Sequence, residues 1–232
     1  TIACACAGII IGSVFVSGLG LKFTQSVIDL SGGVLFILLC LTAVSAIILG
    51  MGMTTTAVYI TVAALIVPSL IESGIMPIAA HMFAFYFGVV STITPPVALA
   101  SFAGAAIAKS PPMATAVESS KVGIAKYIVP FAFVYNPSLL MEGPIIWSIY
   151  SLISVLFAYW SMTLGLEGWF NGPLNIFKRL IALLGSVLLL IPPQEFFANF
   201  SGFIFNGLGL TCLIFIYFIQ DRFILKKRIN YE

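Results

Sequence analysis

The chain has 232 residues, 61% hydrophobic and 8% charged, with a mean hydropathy of +1.15. Soluble domains carry about 25% charged residues, so this composition excludes an ordinary soluble fold and points to an integral membrane protein with room for about seven to nine apolar segments. The formal charge of +2 gives no footing for nucleic acid, because the positive residues cluster beside apolar segments.

The first segment, Thr1–Leu21, is apolar from its start, with no charged stretch ahead of Ile2–Ile11. That argues against a signal peptide and reads as the C-terminal part of a longer protein. A polar loop, Lys22–Gly32, follows. Gly33–Leu49 then runs into a break, Gly50-Met51-Gly52-Met53-Thr54-Thr55-Thr56, and Ala57–Ile71 leaves it. Arms of about 17 and 15 residues, at about 1.5 Å each, are marginal as full crossings. They predict either two thin crossings or a re-entrant hairpin with the threonines at its tip.

After Glu72-Ser73-Gly74, Met76–Val90 runs into a second break, Ser91-Thr92-Ile93-Thr94-Pro95-Pro96, and Val97–Ala108 leaves it. These two arms predict one crossing with an unwound middle. Lys109–Lys126 is polar and reads as a surface helix or loop. Ile128–Met141 holds Pro130 and Pro137 and predicts a kinked or interrupted crossing. Pro144–Leu166 is a full span with Trp147, Tyr150, Tyr159 and Trp160 toward its ends. The loop Glu167–Lys178, the segment Arg179–Ile191 ending at Pro192-Pro193, the span Gly202–Ile219 and a basic tail, Asp221–Arg228, complete the chain.

The expected organisation is a first helix and outer loop over 1–32, a paired unit over 33–108 (33–71 and 76–108), a linker and kinked helix over 109–141, and further spans with a basic tail over 142–232. With the C-terminus inside, alternating the spans puts Lys109, Lys121, Lys126, Lys178, Arg179, Arg222, Lys226, Lys227 and Arg228 inside and only Lys22 outside. That split follows the positive-inside rule.

The two breaks carry the chemistry. Unpaired backbone is tolerated at membrane depth only where protein or water covers it, and short Gly/Pro-interrupted segments point to a transporter's binding site. Gly50, Gly52, Thr54, Thr55 and Thr56 offer carbonyl and hydroxyl oxygens without formal charge, which suits a hard cation such as sodium. Pro95 and Pro96 remove two amide donors and free upstream carbonyls, with hydroxyls from Ser91, Thr92 and Thr94 on the same turn. The plainer reading has threonines back-bonding within helices and glycines easing helix contact.

Other candidates are weaker. His81 is the only histidine, and an ionisable group inside a membrane segment is a functional hypothesis by default. Glu72 and Glu118 fall in loops and Glu142 near a helix end, so no acid–base couple forms. Asn136, in Tyr135-Asn136-Pro137, either lines a substrate path or makes an interhelical hydrogen bond. Cys4, Cys6, Cys40 and Cys212 fall in apolar runs and lack metal or redox spacing.

Several runs resemble one family. Ile48-Leu-Gly-Met-Gly-Met-Thr-Thr-Thr-Ala-Val-Tyr-Ile60, Ala79-Ala-His-Met-Phe-Ala-Phe-Tyr-Phe87 and Ile93-Thr-Pro-Pro-Val-Ala-Leu-Ala-Ser-Phe-Ala103 resemble the large membrane subunit of TRAP (tripartite ATP-independent periplasmic) transporters. Pro130-Phe-Ala-Phe-Val-Tyr-Asn-Pro-Ser-Leu-Leu140 is similar to the fused-permease branch that pairs with TAXI-type binding proteins. The resemblance covers residues 1–141 closely and the last spans loosely.

It implies an all-α membrane protein, the second inverted repeat of an elevator-type transporter, in which 33–71 is a re-entrant hairpin and 76–108 its broken partner. It implies a sodium site built from Gly50, Gly52, Thr54, Thr55, Thr56, Thr92, Thr94, Pro95 and Ala98, and a substrate path along Thr55, Thr56, Pro96 and Asn136. Many family members have glycine where Ala98 stands and an acidic residue where Thr54 stands. The implied activity is sodium symport of an organic acid, a carboxylate, with no catalysis and no cofactor beyond the coupling ion. The implied partners are a TAXI-like periplasmic binding protein, the permease's N-terminal half with its small-subunit-like helices, and the lipid bilayer. The implied location is a bacterial or archaeal cytoplasmic (inner) membrane, multi-pass, with the C-terminus cytoplasmic.

Three rivals stand beside this reading. A two-hairpin ion-coupled transporter without a binding protein would keep both breaks. An intramembrane enzyme would use His81 with a carboxylate. A scaffold subunit would hold the two breaks apart or fill them with side chains.

Overall fold

The computed structural model describes residues 9, 12–13, 16–170, 172–193 and 202–229, with side chains as far as 218. Cys4 and Cys6, and the side chains of Arg222, Lys226, Lys227 and Arg228, lie outside the described residues. Among those described, regular structure is helical apart from an isolated bridge between Trp169 and Pro173. The chain divides into two compact units, one ending at Val134 and one beginning at Tyr135.

The first unit holds α1 (Leu19–Ser31), α2 (Leu35–Gly50), α3 (Thr55–Leu65), α4 (Val67–Glu72), α5 (Pro77–Val90), α6 (Leu99–Ala108), α7 (Pro112–Val122) and most of α8 (Ala125–Tyr135). α2, at about 1.5 Å per residue, is roughly 24 Å long, and α3 is shorter, so each falls short of the roughly 30 Å thickness of a hydrocarbon core. The arm expected over 57–71 is two helices. Pro68 has no N–H for the carbonyl of Ala64, and the helix bends at Ile66 (φ −101°, ψ −40°) between α3 and α4.

α5 packs against both α2 and α3. The shared core is Leu38, Leu39, Ala43 and Ala46 from α2, Val58 and Val62 from α3, and Ala80, Phe83, Ala84 and Phe87 from α5, all buried. Alanines on facing turns let the backbones approach, which is how helices associate where lipid supplies no hydrophobic drive. Phe131 of α8 joins this core edge-on to Phe83 (5.4 Å between ring centres) and to Phe87 (5.8 Å). The polar stretch after Lys109 forms the helix α7, so the surface-helix alternative is the one observed. α8 carries Pro130 inside it, and the expected kinked segment 128–141 is a helix ending at Tyr135 followed by a 3-10 turn, Pro137–Leu140.

The second unit holds that turn, α9 (Ile145–Glu167), α10 (Ile176–Leu190) and α11 (Gly202–Ile229). Among the described residues α9 is the helix long and apolar enough to cross a membrane alone. α10 packs against both α9 and α11 around Ala158, Ala182, Leu189, Leu213 and Ile216. Ser154 Oγ donates to Leu189 O and Ser161 Oγ to Ala182 O, each at 2.7 Å. Arg179 closes the end of α9, its Nε donating to Gly165 O (2.9 Å) and Nη2 to Leu166 O (2.6 Å). A cation there meets carbonyls that have no partner in their own helix.

Candidate functional site

At the first break α2 stops because Met51 turns extended (φ −66°, ψ 122°) and Gly52 takes φ 82°, a left-handed conformation suited to glycine. Thr54 (φ −72°, ψ 152°) then opens α3 as its N-cap residue, without a side-chain capping bond. Thr54, Thr55 and Thr56 are exposed, and none of their hydroxyls makes a hydrogen bond among the described residues. The reason is local. A threonine back-bonds to a carbonyl three or four residues earlier, and here those residues lie in the break, not in a helical turn. The carbonyls of Met51, Gly52 and Met53 are likewise without hydrogen bonds among the described residues.

The second break is laced. Ser91, fully buried, lies 2.6 Å from Gly88 O and 3.0 Å from Gly50 O through its Oγ. Thr92 Oγ1 donates to Val89 O and Thr94 Oγ1 to Val90 O, both at 2.7 Å. Pro95 and Pro96, joined by a cis peptide, would orphan the carbonyls of Ser91 and Thr92 in a continued helix. Those oxygens do not stay free as expected: Thr94 N donates to Ser91 O (3.4 Å) and Ala100 N to Thr92 O (3.0 Å). The chain turns tightly enough to supply substitute donors. Ile93 O accepts from Ser120 Oγ at 3.0 Å. Among the described residues, the carbonyls of Thr94, Pro95 and Pro96 are without hydrogen bonds. Ala98 is buried as the N-cap residue of α6.

The two breaks meet. Besides the Ser91–Gly50 hydrogen bond, a Cβ on Gly50 would fall 2.5 Å from Ser91 Oγ and 3.1 Å from Val58 Cγ1. A Cβ on Gly88 would be as crowded, 2.7 Å from Val58 Cγ1, and one on Gly52 would touch Val97 at 4.0 Å. Three segments, the end of α2, the start of α3 and the end of α5, converge here because two of them carry glycine at the contact. A scaffold that keeps the breaks apart does not describe this arrangement.

The remaining candidates fall elsewhere. His81 is exposed, and its Nδ1 lies 3.0 Å from the Tyr59 hydroxyl. Its hydrogen-bond partner is therefore a tyrosine, not the carboxylate an enzyme would need. Asn136, buried in the second unit, donates from Nδ2 to Ser151 Oγ at 2.9 Å, so of its two expected roles the interhelical hydrogen bond is on view. No group of three or more His, Cys, Asp or Glu residues is placed to hold a metal among the described residues. Reading the sequence did not single out Ser120, Tyr127 or Tyr59. Their partners lie 22 to 33 positions away, and no local spacing announces them.

A helical, apolar chain with two interrupted segments in contact, presenting uncharged oxygens, has the features that point to a membrane-transporter permease. A family model described as "Tripartite ATP-independent periplasmic transporter, DctM component" matches residues 1–147, more than half of the sequence, and the chain belongs to that family. It is thus a permease component of a TRAP-type secondary transporter, and the family is one of transporters, not enzymes. Such components work with a periplasmic binding protein and a small subunit. No curated protein and no solved structure matches the chain. The matched region takes in the whole first unit and ends three residues into α9.

Proposed function

We propose that this chain is half of a sodium-coupled permease that imports an organic acid delivered by a TAXI-like periplasmic binding protein. In this reading α2 to α4 form a re-entrant hairpin in the inner membrane, and α5 and α6 are the halves of a broken helix facing it. The coupling ion sits where the breaks meet. Its ligands come from the open oxygens of residues 51–56 on one side and from Thr94, Pro95 and Pro96 on the other, with Gly50, Gly52, Thr92 and Ala98 shaping the backbone. The donor set is uncharged hard oxygen, which suits sodium. The substrate passes along Thr55, Thr56 and Pro96, and the N-terminal half of the permease supplies the remaining ligands.

The observation that carries this reading is the close fit of the two interruptions, where Gly50 has no room for a side chain against Ser91 and Val58 and Gly50 O, at 3.0 Å, shares the single Ser91 hydroxyl hydrogen with Gly88 O. Sodium favours the loaded state through its higher affinity for it, and the mobile domain then carries ion and substrate across. The basic tail stays in the cytoplasm. The test uses the full-length permease in proteoliposomes with its binding protein. Thr55→Ala is expected to raise the sodium concentration for half-maximal uptake by about tenfold, the size of one lost ligand to a charged partner. An unchanged sodium dependence would sink the assignment.

A further inference from the structure

The second break is held by a strap that the transport reading leaves unused. α7 ends at Val122 and α8 begins at Ala125, and the turn between them presses on the break: Ile93 Cδ1 lies 2.7 Å from where a Cβ on Gly123 would stand. From the flanks of this turn come Ser120, whose one hydroxyl hydrogen is shared between Ile93 O at 3.0 Å and Ala116 O of its own helix at 3.1 Å, and Tyr127, whose hydroxyl lies 2.6 Å from Thr94 Oγ1.

A hydroxyl has one hydrogen and two lone pairs. Val90 O cannot donate, so its 2.7 Å contact with Thr94 Oγ1 takes the threonine's hydrogen. The hydrogen in the Thr94–Tyr127 contact therefore belongs to Tyr127. Thr94 Oγ1 is left as an acceptor with one lone pair engaged by the tyrosine and one open, so the competition is electrostatic: the oxygen's electron density is shared with the phenolic hydrogen. A cation at Thr94 needs electron density from that same oxygen, and a phenolic hydrogen aimed at it opposes the ion's approach.

We infer that Tyr127 is a positioning residue that sets the sodium affinity of the second break by competing with the ion for Thr94 Oγ1. The inference rests on the proposed placement of the coupling ion at Thr94. Tyr127 holds the oxygen while the ion is away and yields it when the ion binds, which keeps the affinity low enough for release. Linkage makes the effect reciprocal: the bound ion loosens the Tyr127–Thr94 contact and, with it, the turn around Gly123.

Sodium dependence of uptake, measured on the full-length permease with its binding protein for Tyr127→Phe, Thr94→Val and the double variant, tests this. Tyr127→Phe is expected to lower the half-maximal sodium concentration by about two- to tenfold, the range of one neutral hydrogen bond. A residue that merely supports the fold would leave that value alone or raise it, so either result overturns the inference. Thr94→Val is expected to raise the value, and adding Tyr127→Phe to it to change nothing further. A lowering that persists in the double variant also overturns the inference. An unchanged sodium dependence in Thr94→Val takes the ion away from Thr94 and brings down both readings. A raised one without an effect of Tyr127→Phe overturns only the inference. Should Tyr127→Phe not fold, Ser120→Ala loosens the same turn and is expected to lower the value too; no change or a rise counts against the inference.

Discussion

The two breaks are built from the same kinds of residue and end in opposite states. At the first, three threonine hydroxyls stand exposed without hydrogen bonds among the described residues. At the second, Ser91, Thr92 and Thr94 all turn back onto carbonyls of α5. The difference lies in where each cluster sits on its helix. Thr54, Thr55 and Thr56 open α3, where no earlier turn offers a carbonyl. Ser91, Thr92 and Thr94 close α5, where the preceding turn has carbonyls to spare. At these two breaks the hydroxyls that open a helix are available to a ligand and those that close one are engaged. Composition alone does not separate the two.

Three substitutions probe that contrast. Gly50→Ala puts a methyl group 2.5 Å from Ser91 Oγ and 3.1 Å from Val58 Cγ1. It is expected to wedge the open break off the laced one, cutting uptake by tenfold or more and stability by about 1–3 kcal/mol. Uptake assays and thermal unfolding in detergent read both, and normal uptake would show that the two breaks work independently. Ser91→Ala removes the hydroxyl between Gly50 O and Gly88 O. A loss near 1 kcal/mol is expected, since helix-to-helix hydrogen bonds in membranes average about 0.6 kcal/mol and reach about 1.7. A midpoint unchanged in thermal unfolding would mean that the bond adds nothing. Thr92→Val is expected to be the mildest, within about 0.5 kcal/mol in stability and without effect on the half-maximal sodium concentration, in contrast to Thr55→Ala. An equal sodium shift in the two would erase the distinction between open and laced breaks.

Much of this was legible in the sequence. Apolar runs located the helices, and glycine, threonine and proline located both interruptions to within a few residues, because those residues change backbone physics locally. The bend at Ile66 had a signal, Pro68, that the continuous apolar run 57–71 masked. Asn136-Pro137 likewise marked the place where the expected kinked crossing ends as a helix. What could not be read were pairings across the chain. Nothing near Tyr127 points to Thr94, and nothing near Ser120 points to Ile93, because such contacts follow from how helices fold back together. The fate of the carbonyls orphaned by Pro95 and Pro96 was equally out of reach, since Thr94 N and Ala100 N became donors to Ser91 O and Thr92 O through a turn of irregular backbone.

The crowded joint of Gly50, Gly88, Ser91 and Val58 has a mechanical consequence. Val58 is fully enclosed, and its methyl group fills the space that both glycines leave empty. Prying the α2–α3 tip away from α5 would expose that side chain and strip Gly50 O of its donor, together a penalty of several kcal/mol. Swinging the two as one stiff piece incurs none of it. By that measure the joint is a rivet rather than a hinge: the two interruptions are expected to move together, and the exposed threonines lie outside the enclosed contact.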